Sequence, residues 1–194
     1  DTEAAKGGLI ENAEGSDSQI YWAFNEDTRT LTVSGTGDIN WDENTYSKGD
    51  NPPWEDYRSQ IENLVIDEGI TGTSKIKVFS SLSNLKNIKF PSTFTKLADG
   101  TFATCTNLAS VTLPEQLVSM GNVVFSNCIN LKMLVVENRE LQTPTSGNWS
   151  TGKYPTDQPG NKLPDNLTVY GYRYTDDTKE TDTTLYQYVQ WQND

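Results

Sequence analysis

The residues of this chain equipped for chemistry are two cysteines, Cys105 and Cys128, several adjacent acids, and aromatics set among polar neighbours. The thiols offer redox chemistry or a bridge if folding brings their Cα atoms within about 4.4–6.8 Å. Asp42-Glu43, Glu55-Asp56 and Asp176-Asp177 offer paired carboxylates of the kind used for glycoside hydrolysis or calcium binding. None has a diagnostic spacing. Asp176 to Asp182 lacks the Gly turn and distal Glu of a calcium-binding helix-loop-helix, so these acids read as solvated surface charge. Histidine is absent, which excludes Ser/His/Asp and Cys/His catalysis and every zinc site built on imidazole. The reading is therefore no catalytic residue, no metal and no cofactor. Asn148-Trp-Ser150 and Asn166-Leu-Thr168 fit the glycosylation acceptor pattern, which matters only on a eukaryotic secretory route.

The bulk properties narrow the partners. The chain has 194 residues and a formal charge of −12, which repels phosphate backbones and anionic lipid head groups. Nucleic acid and membrane insertion are excluded as expectations, since no stretch approaches the roughly 18 apolar residues of a span. Residues 1–15 lack the basic and apolar regions of a signal peptide, so an exported protein would already have lost its signal. A hydrophobic fraction of 34% is low for a globule but suits a thin stack of coils that each expose much surface.

The elements that position these groups follow from a repeat. Apolar triplets recur at Ile61/Leu64/Ile66, Leu85/Ile88/Phe90, Leu108/Val111/Leu113 and Leu131/Leu134/Val136, their central members 24, 23 and 23 residues apart. Phe79, Phe102 and Phe125 keep the same step, followed three residues later by Leu82, Cys105 and Cys128. Asn84, Asn107 and Asn130 each precede a triplet, Pro91 and Pro114 close two strands, and Leu97 and Met120 form a further inward column. The last two members of each triplet alternate, which predicts a strand with one buried face. Such a strand cannot bury its face alone, so the coils must stack into a solenoid with parallel strands on one side and the Phe column behind them. The cysteines share their position with Leu82 and read as buried ladder members rather than a bridge. The Asn column is expected to satisfy buried backbone groups at the turns.

The run Phe102-Ala-Thr-Cys105-Thr-Asn107-Leu108-Ala-Ser-Val111-Thr-Leu113-Pro114 resembles the BspA-like branch of the leucine-rich-repeat family. The resemblance covers about Ile61 to Glu137. It extends upstream to Leu31-Thr-Val33-Ser-Gly35-Thr-Gly37 and Pro52-Pro53-Trp54, and downstream to Leu163-Pro-Asp-Asn-Leu167-Thr-Val169-Tyr170-Gly171. It implies a surface or secreted location and binding to other molecules. The first coil departs from the pattern at the Cys and Pro positions, and the 33 residues from Val136 to Val169 leave room for an inserted loop over 139–162.

The flanks differ chemically from the repeats. Residues 61–137 are neutral, with six Lys against six acids, so the whole excess of acid lies outside them, as do all five Trp and all nine Tyr. Ile20, Trp22 and Phe24 alternate, as do Leu31 and Val33 beyond a polar interval, which reads as a β-hairpin capping the first coil with Trp54 plugging the core. The fold expected is a strand-dominated repeat solenoid, a right-handed leucine-rich-repeat β/α superhelix with an N-terminal hairpin cap and a C-terminal capping strand. Its divisions are a flexible tail over 1–15, a capping hairpin and turn over 16–60, coils over 61–137, and an interrupted last coil and cap over 138–194.

The exposed strand face should carry Val65, Lys89, Thr112 and Val135, flanked by Glu62, Lys86, Ala109 and Lys132. Tyr46, Trp149, Tyr154 and Trp191 are candidate carbohydrate platforms or packing residues of the caps. The expected binding site joins Trp149 and Tyr154 of the inserted loop to Lys132, Lys89 and Lys86 of the strand face. The function expected is non-enzymatic recognition of a protein or glycan by a monomer at a bacterial surface or outside the cell. The rivals are a carboxylate-dependent polysaccharide-active enzyme and a structural spacer within a longer surface protein.

Overall fold

The computed structural model describes residues 6–10, 18–41, 51–138, 168–171 and 186–187, the last two stretches through their strand pairing. It begins with three antiparallel strands, β1 (Gly7–Ile10), β2 (Gln19–Asn25) and β3 (Thr30–Ile39). Alternation sets the two faces of this unit: Ile20, Phe24, Leu31 and Val33 are buried, while Tyr21, Ala23 and Asn25 face solvent. The reversal between β2 and β3 is closed by the Asn25 side chain, whose Oδ1 accepts from the Thr28 N–H at 2.9 Å.

β1 corrects the expectation of a flexible tail. Its short, glycine-led sequence carries no clear alternation, yet Ile10 is fully buried opposite Ile20. Gly7 permits the pairing, because a Cβ there would lie 2.5 Å from the Trp22 carbonyl oxygen.

β3 feeds two ladders. Thr30–Val33 pairs in parallel with β4 (Asn63–Ile66), and Gly37–Ile39 pairs in parallel with β5 (Ile70–Thr73) across a register irregularity. The bend between the halves uses Gly35 and Gly37, at φ +114° and +98°. Each later coil repeats the scheme of a first strand and a shorter second one: β6 (Asn87–Lys89) with β7 (Lys96–Leu97), then β8 (Ser110–Leu113) with β9 (Ser119–Met120), then β10 (Met133–Val136). The second strands run in the order β3-β5-β7-β9. First strands pair as β3-β4-β6 and, separately, β8-β10. β11 (Thr168–Gly171) extends the latter group in parallel, with Val169 opposite Leu134, and β12 (Tyr186–Gln187) pairs antiparallel to β11.

The expected α component is absent among the described residues, where one 3-10 turn, Glu55–Tyr57, is the only helix. Backbone bonding explains it. On the back of each coil, three N–H groups donate to the next coil: Lys77, Phe79 and Ser81 to the carbonyls of Asp99, Thr101 and Ala103, and Gly100, Phe102 and Thr104 to those of Asn122, Val124 and Ser126, all at 2.7–2.9 Å. A helix would spend these donors within its own coil.

This turn places two residues per coil in the left-handed region, Lys77, Gly100 and Val123 at one position and Ser81, Thr104 and Asn127 at the other. Only Gly100 escapes the Cβ penalty, and Val123 is β-branched. Val123→Gly is therefore expected to stabilise the protein by about 0.5–1 kcal/mol, the left-handed penalty less the entropic cost of glycine. Val123→Asn should gain part of this, and urea unfolding of both variants measures the change.

The core is one continuous column. Trp54, Phe79, Phe102 and Phe125 stack ring on ring at 5.5, 5.7 and 5.8 Å, and all four are fully buried. Thus Trp54 continues the Phe ladder one coil upstream, and its edge contacts with Trp22 at 6.4 Å and Trp41 at 6.1 Å join the hairpin to the repeats.

Candidate functional site

The strand face is laid out in rows by the ladder register. One row runs through Ala23, Thr32, Val65 and Lys89, and the next through Asn25, Thr30, Asn63 and Asn87. On the other group of strands, Ser110 lies opposite Met133 and Thr112 opposite Val135. Of the candidate residues, Lys86, Lys89 and Lys132 are all exposed, on this face and at its edge. Trp149 and Tyr154 lie outside the described residues, as do Tyr46, Trp191, Asp42-Glu43, Asp176-Asp177 and the whole of the 139–162 segment.

Charge on the face is partly committed. Glu62 bridges Arg29 at 3.1 Å and Lys86 at 2.8 Å, and the Lys86 bond leads the interactions that hold its carboxyl below the usual range. Lys89 and Lys132 have no ion-pair partner among the described residues. Asn87 Nδ2 donates to Asn63 Oδ1 at 2.8 Å and Asn63 Nδ2 donates to the Thr28 carbonyl at 3.0 Å, an amide chain that sequence alone did not reveal.

The Asn column differs from expectation in exposure. Asn84 and Asn130 donate to the Ser59 and Thr106 carbonyls of the preceding turn at 2.7 Å, but Asn107 donates to the Asn84 side chain at 3.0 Å. Asn107 and Asn130 are exposed, so the column ties coil edges together at the surface rather than filling buried sites.

The acids do not assemble a reactive centre among the described residues. Glu55 pairs with Arg58, and Asp38 accepts from Thr71 at 2.7 Å, Ser74 at 3.0 Å and Lys96. Burial alone would raise the Asp38 carboxyl, but the bonds from Lys96, Thr71 and Ser74 outweigh it and hold the group below its ordinary value. No group of three or more His, Cys, Asp or Glu among the described residues is placed to hold a metal.

Both cysteines are free and buried, each donating from Sγ to the carbonyl of a Phe in the preceding coil, Cys105 to Phe79 at 3.3 Å and Cys128 to Phe102 at 3.1 Å. Burial pushes the Cys128 thiol up to about 12 and Cys105 well above its usual 9.0. Thiol titration is expected to find two equivalents only after denaturation, and none in denaturant would reveal a bridge. The neutral thiols also give stability a sign with pH. Their folded values lie above the unfolded one, so their contribution is complete below about pH 9 and declines as pH rises toward 12.

Stacked coils with a parallel first strand, an Asn-linked edge and an aromatic column define a leucine-rich-repeat architecture. Residues 57–147 match the BspA type leucine rich repeat region in six copies. Among solved structures, a leucine-rich repeat protein from Eubacterium ventriosum ATCC 27560 superposes with a TM-score of 0.55 at 20% identity, over 93% of this chain and 48% of that one. The chain thus spans about half the length of that protein. A T. pallidum leucine rich repeat protein (TM-score 0.42, 14% identity, 69% of this chain and 64% of that) and a leucine rich cell surface protein from Faecalibacterium prausnitzii A2-165 (0.45, 12%, 61% and 32%) also match. No curated protein matches the chain significantly. Among the described residues, no helix is long and apolar enough to cross a membrane.

Proposed function

We propose that this chain is a non-enzymatic recognition module of a bacterial surface or secreted protein, a monomer that binds a protein or glycan through its strand face and the adjoining 139–162 loop. The observation that carries this reading is the open strand face itself, where Lys89, Thr112, Asn87, Ser110 and Lys132 meet solvent while the apolar alternates are turned inward. The BspA-type repeat block supports the assignment, since the family is generally non-enzymatic and its resemblance implies a location outside the cell. We further infer that the superhelix is right-handed, that the β2–β3 hairpin and β11 serve as its caps, and that coils occupy 61–137 between flanking regions 16–60 and 138–194.

The test screens the purified chain against glycan and extracellular-matrix arrays, then repeats the best hit with Trp149 and Tyr154 both replaced by Ala. Loss of binding at unchanged thermal midpoint is the expected result. Unchanged binding removes the loop from the site, and a large stability loss makes the two aromatics packing residues instead. Arrays without any hit would favour the spacer reading.

A further inference from the structure

The strand face has one irregularity that its sequence does not announce. At three boundaries, two successive N–H groups before a first strand converge on one carbonyl of the previous coil. Glu62 and Asn63 donate to Arg29 at 2.9 and 3.1 Å, Lys86 and Asn87 to Glu62 at 2.8 and 3.3 Å, and Lys132 and Met133 to Ala109 at 2.9 and 3.3 Å. Ala109 and Ser110 hold the same position in the third coil, where the Lys86 carbonyl is the expected acceptor. No such bond forms, and no backbone ladder joins β6 to β8 among the described residues. Both donor residues are exposed.

The opening is confined to the front. The same two coils remain bonded from the Asn107 N–H to the Ser83 carbonyl at 3.2 Å, from Phe79 to Thr101 at 2.9 Å, and by pairing of Lys96 with Ser119. Ile88 and Phe90 line the seam half-buried, although their counterparts Leu64, Ile66, Val111, Leu113, Leu134 and Val136 are buried. Phe90 brings a ring where the other coils have an aliphatic residue, resting on Phe94 at 5.1 Å and edge-on to Phe102 at 6.1 Å. Phe90 is thus the residue at the seam that departs from the aliphatic type of the other coils, and it stays half-buried where they are buried.

We propose that the seam between β6 and β8 is a docking slot for a carboxylate on an extended, acidic segment of a protein partner. The proposal rests on the recognition reading above and narrows it to one seam and one ligand chemistry. Two adjacent N–H donors at the position where the other coils share one acceptor suit a carboxylate oxygen in place of the missing carbonyl. Lys89 beside the seam and Lys132 one coil beyond Ala109 supply positive charge without a close ion pair on the face of an otherwise acidic molecule; Glu68, the carboxylate that Lys89 acts on, is held by the Ser92 N–H and hydroxyl at 2.9 and 2.8 Å. Ile88 and Phe90 give a neighbouring side chain an apolar seat, which a peptide alternating acidic and apolar residues fills and a uronate polymer does not.

The experiment titrates the isotopically labelled chain with a short synthetic peptide alternating Glu and Leu, its Gln-for-Glu counterpart, and an oligogalacturonate, following backbone amides by NMR. The amides of Ala109, Ser110 and Thr112 are expected to shift saturably with the acidic peptide, at least about tenfold more weakly with the Gln version. Lys89→Gln with Lys132→Gln should weaken binding by about tenfold or more. Phe90→Leu should close the ladder and abolish the response without changing charge. If that variant fails to fold, the lysine pair decides. The slot is overturned by no shift at the seam, by an equal response to the Gln peptide, or by binding indifferent to the lysines. A response to the oligogalacturonate alone overturns the peptide assignment. Array ligands that bind while the seam stays silent would leave the recognition reading standing and remove only the slot.

Discussion

Phe102→Ala is expected to lower the unfolding free energy by about 3–5 kcal/mol, the range for deleting a fully buried aromatic ring. Phe102 is stacked between Phe79 and Phe125 at 5.7 and 5.8 Å and meets Phe90 edge-on, so no neighbour on either side can be spared to fill the space. Its backbone adds a second demand, since its N–H donates to Val124 and its carbonyl receives the Cys128 thiol. These bonds fix the main chain and limit collapse of the cavity, which places the loss toward the upper part of the range. Small domains have total stabilities of about 5–15 kcal/mol, so the variant should unfold at a much lower urea concentration. Coils bury their faces only against neighbours, and the transition should therefore shift as a whole. Phe90→Ala provides the comparison, for its half-buried ring should cost distinctly less. A Phe102→Ala protein with an unchanged midpoint would contradict the placement of this column in the core.

How much of this was legible in the sequence depends on whether side chains or backbone carry the feature. The front strands follow from alternation at Leu64/Ile66, Val111/Leu113 and Leu134/Val136, and the column of Phe79, Phe102 and Phe125 follows from spacing alone, because burial demands an apolar type at each return of the coil. The ladder on the back was hidden, since its bonds run between main-chain atoms and leave a mark only where Gly100 relieves a left-handed residue. That is why an α component was expected and is absent among the described residues. β1 was hidden for a related reason: Gly7 permits close main-chain approach to β2, a role that leaves no apolar alternation to read.

The candidate site divides the same way. Exposure of Lys86, Lys89 and Lys132 was readable because each falls between inward-facing apolar residues. The seam was not, because Ala109 and Ser110 differ from their counterparts in losing an acceptor rather than in residue type. Its one visible trace is Phe90, which fits the apolar pattern and so passed as an ordinary core position although it is only half-buried.

Trp54 is expected to show that hairpin and repeats fold as one body through a single ring. It lies fully buried, stacked on Phe79 at 5.5 Å with 20° between the planes, and takes edge contacts from Trp22 and Trp41 on the hairpin side. Trp54→Ala should cost about 3–5 kcal/mol. It should also uncouple the two parts, so that near-UV circular dichroism from Trp22 and Trp41 and far-UV signal from the ladders lose their common urea midpoint. Trp54→Phe separates ring contact from side-chain chemistry. The indole Nε1 is buried without a hydrogen-bond partner among the described residues, and an unsatisfied buried donor costs about 1–3 kcal/mol. Phenylalanine removes that donor and continues the stack with the residue type of the next three coils, at the expense of a small void. The two effects oppose each other, and the net loss should stay at or below about 1–2 kcal/mol with a single transition preserved. A Phe variant as damaged as the Ala variant would mean that ring stacking on Phe79 is not what joins the hairpin to the coils.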